Sequence, residues 1–73
     1  MIDKQLLIDA ENGKAEAQSY LGYKYIKDKD TVQDFKKAYF WIHKAALQGY
    51  PLAQYNLGYM YKTGKGVSVN YTK

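Results

Sequence analysis

Ala17, Leu21 and Tyr25 stand four residues apart, and so do Ala38, Ile42 and Ala46. That spacing lays each set along one side of an α-helix. Four helices are predicted. The first, over about 2–12, carries Ile2, Leu6 and Ala10, with Asp3 at its start and Asn12-Gly13 as its stop. The second covers about 15–28. The third, over about 34–48, opens on Asp34 as N-cap and closes on Gln48-Gly49, and Ala38, Trp41, Ile42, Ala45 and Ala46 form its buried stripe. Trp41 is expected to bury the largest area in the chain. The fourth, over about 51–63, begins with Pro51, whose missing N–H is harmless in a first turn, and ends at Gly64-Lys65-Gly66.

These elements repeat. Displaced by 36 positions and without a gap, Ala17 falls on Ala53, Gln18 on Gln54, Leu21 on Leu57, Gly22 on Gly58, Tyr23 on Tyr59 and Tyr25 on Tyr61. Ala10 falls on Ala46 and Gly13 on Gly49, so the register extends beyond one helix. Self-similarity at a period of this size is the signature of a helical solenoid. The run A-Q-x-x-L-G-x-x-Y, the G-x-G-V that follows its second copy, and the helix with Lys37, Ala38, Trp41, Ala45 and Ala46 resemble the Sel-one-like repeat, a relative of the tetratricopeptide repeat. The resemblance covers nearly the whole chain. It implies an all-α, right-handed solenoid of antiparallel helix pairs and a scaffold for protein–protein interaction. On that reading residues 1–13 are a capping helix, 14–49 a complete repeat, and 50–73 an incomplete one. The first inter-helix loop departs from the pattern, with Asp28, Asp30 and Thr31 where Gly64, Gly66 and Val67 stand later, and is expected to be less regular.

Gly22 and Gly58 each cost helix propensity, about 1 kcal/mol relative to Ala, and close approach of a neighbouring helix is the expected compensation at both. The helix from Asp34 should cover Leu21 and Tyr25. The equivalent cover for Leu57 and Tyr61 would begin at Asn70, so the C-terminal end is expected to be open, marginally stable and a site of possible self-association.

Composition narrows the classes. There is no Cys, so no disulfide framework and no thiolate metal site, and no apolar run approaches the ~20 residues that span a bilayer. The N-terminus lacks the basic start and apolar core of a signal peptide, which makes the cytoplasm the expected location and a membrane partner unexpected. The net charge of +4 is unevenly placed. Residues 1–34 hold all seven acids against five lysines, a net of −2, whereas residues 35–73 hold six lysines and no acid, a net of +6. Stacked side by side, the two halves give a dipole along the solenoid.

Candidate chemistry is sparse. Gly64-Lys65-Gly66 lacks the strand, and the following Ser or Thr, that a phosphate loop requires, and reads as a helix-ending turn. His43, the single imidazole, lies off the buried stripe with no partner on its own helix for metal or base chemistry. No catalytic residue, metal site or cofactor is therefore predicted. Some members of the resembled family bind β-lactams, but those are Cys-rich. The stronger signal is nine tyrosines. With Ala17 at zero on a helical wheel, Tyr23, Lys27 and Tyr20 fall at about 240°, 280° and 300°, opposite the buried side. Tyr59, Thr63 and Asn56 take the same angles in the second copy, with Tyr55 alongside. The resemblance makes this the concave, partner-binding face, so Tyr20, Tyr23, Lys27, Tyr55, Asn56, Tyr59 and Thr63 are the candidate contacts for a protein or peptide. An RNA-binding repeat using the basic half and the tyrosines is the alternative. The lack of any Arg counts against it, since Arg is the residue best suited to bidentate phosphate and base contacts.

Overall fold

The protein was analysed as a computed structural model that describes residues 2–64. They form four helices: α1 (Lys4–Glu11), α2 (Ala15–Lys27), α3 (Phe35–Leu47) and α4 (Pro51–Thr63). Each lies within the predicted span. Lys65, Gly66, Val67 and Asn70, to which the sequence assigns the end of the final turn and the next N-cap, fall outside the described residues.

The caps show why the helices stop where they do. Asp34 accepts hydrogen bonds from the N–H groups of Lys36 and Lys37 at 3.1 Å each, satisfying two donors that α3 leaves open. Gly13 and Gly49, at φ 93° and 85°, end α1 and α3 in the left-handed region. The Gly13 N–H reaches the Ala10 carbonyl and that of Lys14 the Asp9 carbonyl, a double closure repeated by Gly49 to Ala46 and Tyr50 to Ala45. Gly64, at φ 74°, donates to the Met60 carbonyl. Asp28, its counterpart 36 residues earlier, keeps φ at −71°. The chain there turns through Thr31, which donates from both its backbone and its hydroxyl to Asp28.

The helices stack in chain order, each antiparallel to the one before. Asp34 N–H donates to the Tyr25 carbonyl at one end of the α2–α3 pair, and Gln48 Nε2 donates to Gln18 Oε1 at the other. Tyr39 and Tyr61 meet across α3 and α4. Leu21, Ala38, Ile42, Ala45, Ala53 and Met60 are fully enclosed. The alanines let α3 lie close to both neighbours, and Gly22 shows how close. A methyl group at Gly22 would collide with the Ile42 side chain and stand 3.0 Å from the Ala38 carbonyl oxygen.

One sequence expectation needs correction, and one core residue was not foreseen. Trp41 is half-buried, not fully enclosed, and packs edge-on against the exposed Phe40 ring. The largest enclosed side chains are Leu21, Ile42 and Met60. Met60 escaped notice because its repeat partner is the polar Lys24, which pairs with Asp28 and keeps a partly exposed side chain. Finally, a methyl group at Gly58 would meet no neighbouring heavy atom within 4 Å, so among the described residues the close approach holds at Gly22 and not at Gly58.

Candidate functional site

Tyr20 and Tyr23 sit on the face of α2 turned from α3. Both rings are about half exposed and stack nearly parallel, with centroids 6.4 Å apart. Lys24 places its ammonium 5.1 Å from the centre of the Tyr20 ring and 3.8 Å from the Asp28 carboxylate. The charge above the ring is thus anchored by an acid one turn away, which fixes the Tyr20 plane.

The stack opens onto a groove of about 570 Å³ where α1, α2 and the start of α4 meet. Leu6 and Asp9 of α1 form one wall, and Tyr50 and Leu52 at the start of α4 form the other. Between them α2 contributes Glu16, Ala17, Ser19, Tyr20 and Tyr23. Lys14 lies 3.7 Å from Asp9 at one end, where the two charges offset each other. Glu16 forms no ion pair among the described residues, so the groove carries a slight negative excess around a floor of aromatic and aliphatic surface. A volume of this size takes one or two large side chains. The Ser19 hydroxyl is enclosed and has no hydrogen-bond partner among the described residues.

Of the seven residues singled out by the sequence, Tyr20 and Tyr23 are brought together at this groove. Lys27 is exposed beyond it on the same helix. Tyr55, Asn56, Tyr59 and Thr63 lie on α4 outside its lining, with Tyr55 about three-quarters exposed and the Thr63 hydroxyl donating to the Tyr59 carbonyl. Leu6, Tyr50 and Leu52 were not anticipated. Tyr50 and Leu52 come from the junction into α4, and only their aromatic and aliphatic character at a predicted helix start could have marked them.

His43 is half-buried and stacks on Tyr39 at 5.3 Å, a packing role. No group of three or more His, Cys, Asp or Glu side chains among the described residues is arranged to hold a metal. No described helix is long and apolar enough to cross a membrane.

Antiparallel helices stacked in register with a 36-residue repeat define an α-helical repeat solenoid. The Sel1 repeat model matches residues 15–50 and 51–73, and the chain belongs to the Sel1 repeat family. It is similar to the crystal structure of a Sel1 repeat protein from Oxalobacter formigenes, at 36% identity and a TM-score of 0.86, over 92% of this chain and 50% of that one. It is also similar to c5321, a protective antigen of uropathogenic Escherichia coli strains with an SLR fold, at 42% identity and a TM-score of 0.87. That match covers 97% of this chain and 15% of the antigen, so the chain spans half or less of each relative. A search of curated proteins gives no match.

Proposed function

We propose that this chain is a non-catalytic interaction scaffold, with residues 14–49 as its complete repeat, and that the Tyr20–Tyr23 groove receives a peptide or protein segment. Sel1 repeats generally mediate protein–protein interaction, which supports the class. The observation that carries the site is the pair of stacked, half-exposed tyrosines opening onto a groove walled by Leu6, Tyr50 and Leu52. Such rings offer large apolar area with a hydroxyl at low entropic cost, a combination enriched at binding surfaces. The fitting ligand is a segment with an aromatic or aliphatic anchor, flanked by a cation that meets Glu16. Groove charge counts against RNA, because its one lysine is already paired with Asp9 and its free charge repels phosphate.

The test is selection of a displayed random peptide library on the chain, followed by calorimetric titration of a selected peptide. Tyr20→Ala with Tyr23→Ala should weaken that peptide at least about tenfold, as expected for removing two interface aromatics, with the far-UV helical signal unchanged. Equal affinity for the double variant would reject the groove.

A further inference from the structure

A second surface, on the far side of α4, is built to receive a helix, and three repeat-related pairs show it. Gly22, Leu21 and Gln18 are buried, whereas Gly58 and Gln54 are exposed and Leu57 is half-buried. Gly22 holds Ile42 against its bare backbone, while nothing described lies within 4 Å of the same point at Gly58. Gln18 accepts from Gln48 Nε2 at 2.9 Å, while Gln54 Oε1 accepts no hydrogen bond among the described residues. What seats on α2 is thus an aliphatic side chain followed six residues later by an amide and a left-handed glycine: Ile42, Gln48, Gly49.

The chain contains that pattern once more, on α1, as Leu6, Asn12 and Gly13. Asn12 has the same backbone as Gln48, with φ −81° and ψ 3° against −84° and 1°. Gly13 matches Gly49 in its positive φ. Charge agrees. Residues 2–13 hold three acids and one lysine, and residues 35–64 hold four lysines and no acid. We propose that α1 of a second copy docks on α4, with Leu6 over Gly58 and the Asn12 amide on Gln54. Asp9, which takes the place of Ala45, enters already bonded to Gln5 at 3.0 Å and paired with Lys14. Because the contact joins unlike surfaces, it propagates head to tail and does not close as a two-fold dimer. It uses none of the Tyr20–Tyr23 stack but does use Leu6 and Asp9 of the groove wall, so the variant that separates it from the groove reading is made on α4, at Gly58, outside the groove lining.

Sedimentation velocity on the 73-residue chain tests this, from about 10 µM to about 1 mM, a range that brackets weak association. The expected result is an average mass that keeps rising with concentration, and a Gly58→Lys variant that stays monomeric. Nothing described from another element stands within 4 Å of where its Cβ would go, so that variant should keep its helicity and melt no lower than wild type. Because it adds a positive charge to the basic side, an association driven by charge alone would strengthen. Asn12→Ala removes the amide that meets Gln54 and should weaken association about fivefold, the effect of one hydrogen bond. Three results would overturn the proposal: a wild-type chain monomeric throughout, a Gly58→Lys chain that associates as well as wild type, or a mass that levels off at a dimer. A synthetic peptide of residues 34–49 that binds a monomeric wild-type chain would assign the seat to a different helix, and so also overturn it.

Discussion

Identical residues in the two repeat copies do different work, and two cases can be measured. At Gly22 an added methyl must displace Ile42 or the Ala38 carbonyl, and at Gly58 it meets nothing described. Gly22→Ala should therefore destabilise by about 1–3 kcal/mol through overpacking, despite its better helix propensity. Gly58→Ala should stabilise by up to about 1 kcal/mol through propensity alone. Urea unfolding at low protein concentration checks both, and the same sign at both sites would refute the packing asymmetry. The second case is the Tyr39–Tyr61 pair, whose hydroxyls lie 2.9 Å apart with the rings edge to face. The hydrogen bond to Tyr61, helped by burial and by the second phenol, holds the Tyr39 pKa above its usual 10.0. A phenol harder to ionise in the folded state adds stability that is fully present below pH 10 and lost as pH rises through the folded-state pKa. The stability difference between wild type and Tyr61→Phe should be constant near neutrality and shrink above about pH 10. A difference unchanged at alkaline pH would show that the pair does not share a proton.

Between elements, the repeat-related glutamines carry a link that periodicity alone does not reveal. Gln18 Nε2 donates to the Ala10 carbonyl at 3.0 Å, and Gln54 Nε2 to the Ala46 carbonyl at 3.4 Å, so each ties the end of one helix to the start of the next. Gln18 is buried and also accepts from Gln48, which itself donates to the Gly13 carbonyl. Gln18→Ala should cost about 1–3 kcal/mol, since it removes two hydrogen bonds at a buried position, each contributing about 0.5–1.5 kcal/mol. Gln54→Ala, at an exposed site with a longer bond, should cost well under half as much. Equal losses in thermal melts would mean that burial does not distinguish the two links. The sequence made the four helices and their stops legible, because apolar spacing, Asp34, Pro51 and the glycine ends are local signals. It overlooked Met60, since which flank of a helix is covered depends on how its neighbours stack. The candidate site was legible as far as Tyr20 and Tyr23, where one helix face sufficed. Leu6, Tyr50 and Leu52 join them through the stacking of three helices, which no single stretch of sequence encodes.

For the molecule as a whole, stability should grade along the stack. Helix α2 is covered by α1 on one side and α3 on the other, and α3 lies between α2 and α4. Among the described residues, α4 is covered on one side only, and α1, with eight residues, buries just Ala10 fully. In a solenoid each unit gains stability only from its neighbours, so the ends open before the middle. Amides near Leu21 and Ile42, where α2 and α3 interlock most closely, should exchange hydrogen only through global unfolding. Those of α1 and of the last turn of α4 should open locally at a free energy at least about 1 kcal/mol lower. If the α4 seat takes up another helix, the protection of α4 should rise with protein concentration while that of α2 stays level. Native-state hydrogen exchange at two concentrations reads both effects in one experiment. Uniform protection across all four helices would mean that the stack unfolds as a single unit, and the picture of an interlocked α2–α3 pair with fraying neighbours would have to be abandoned.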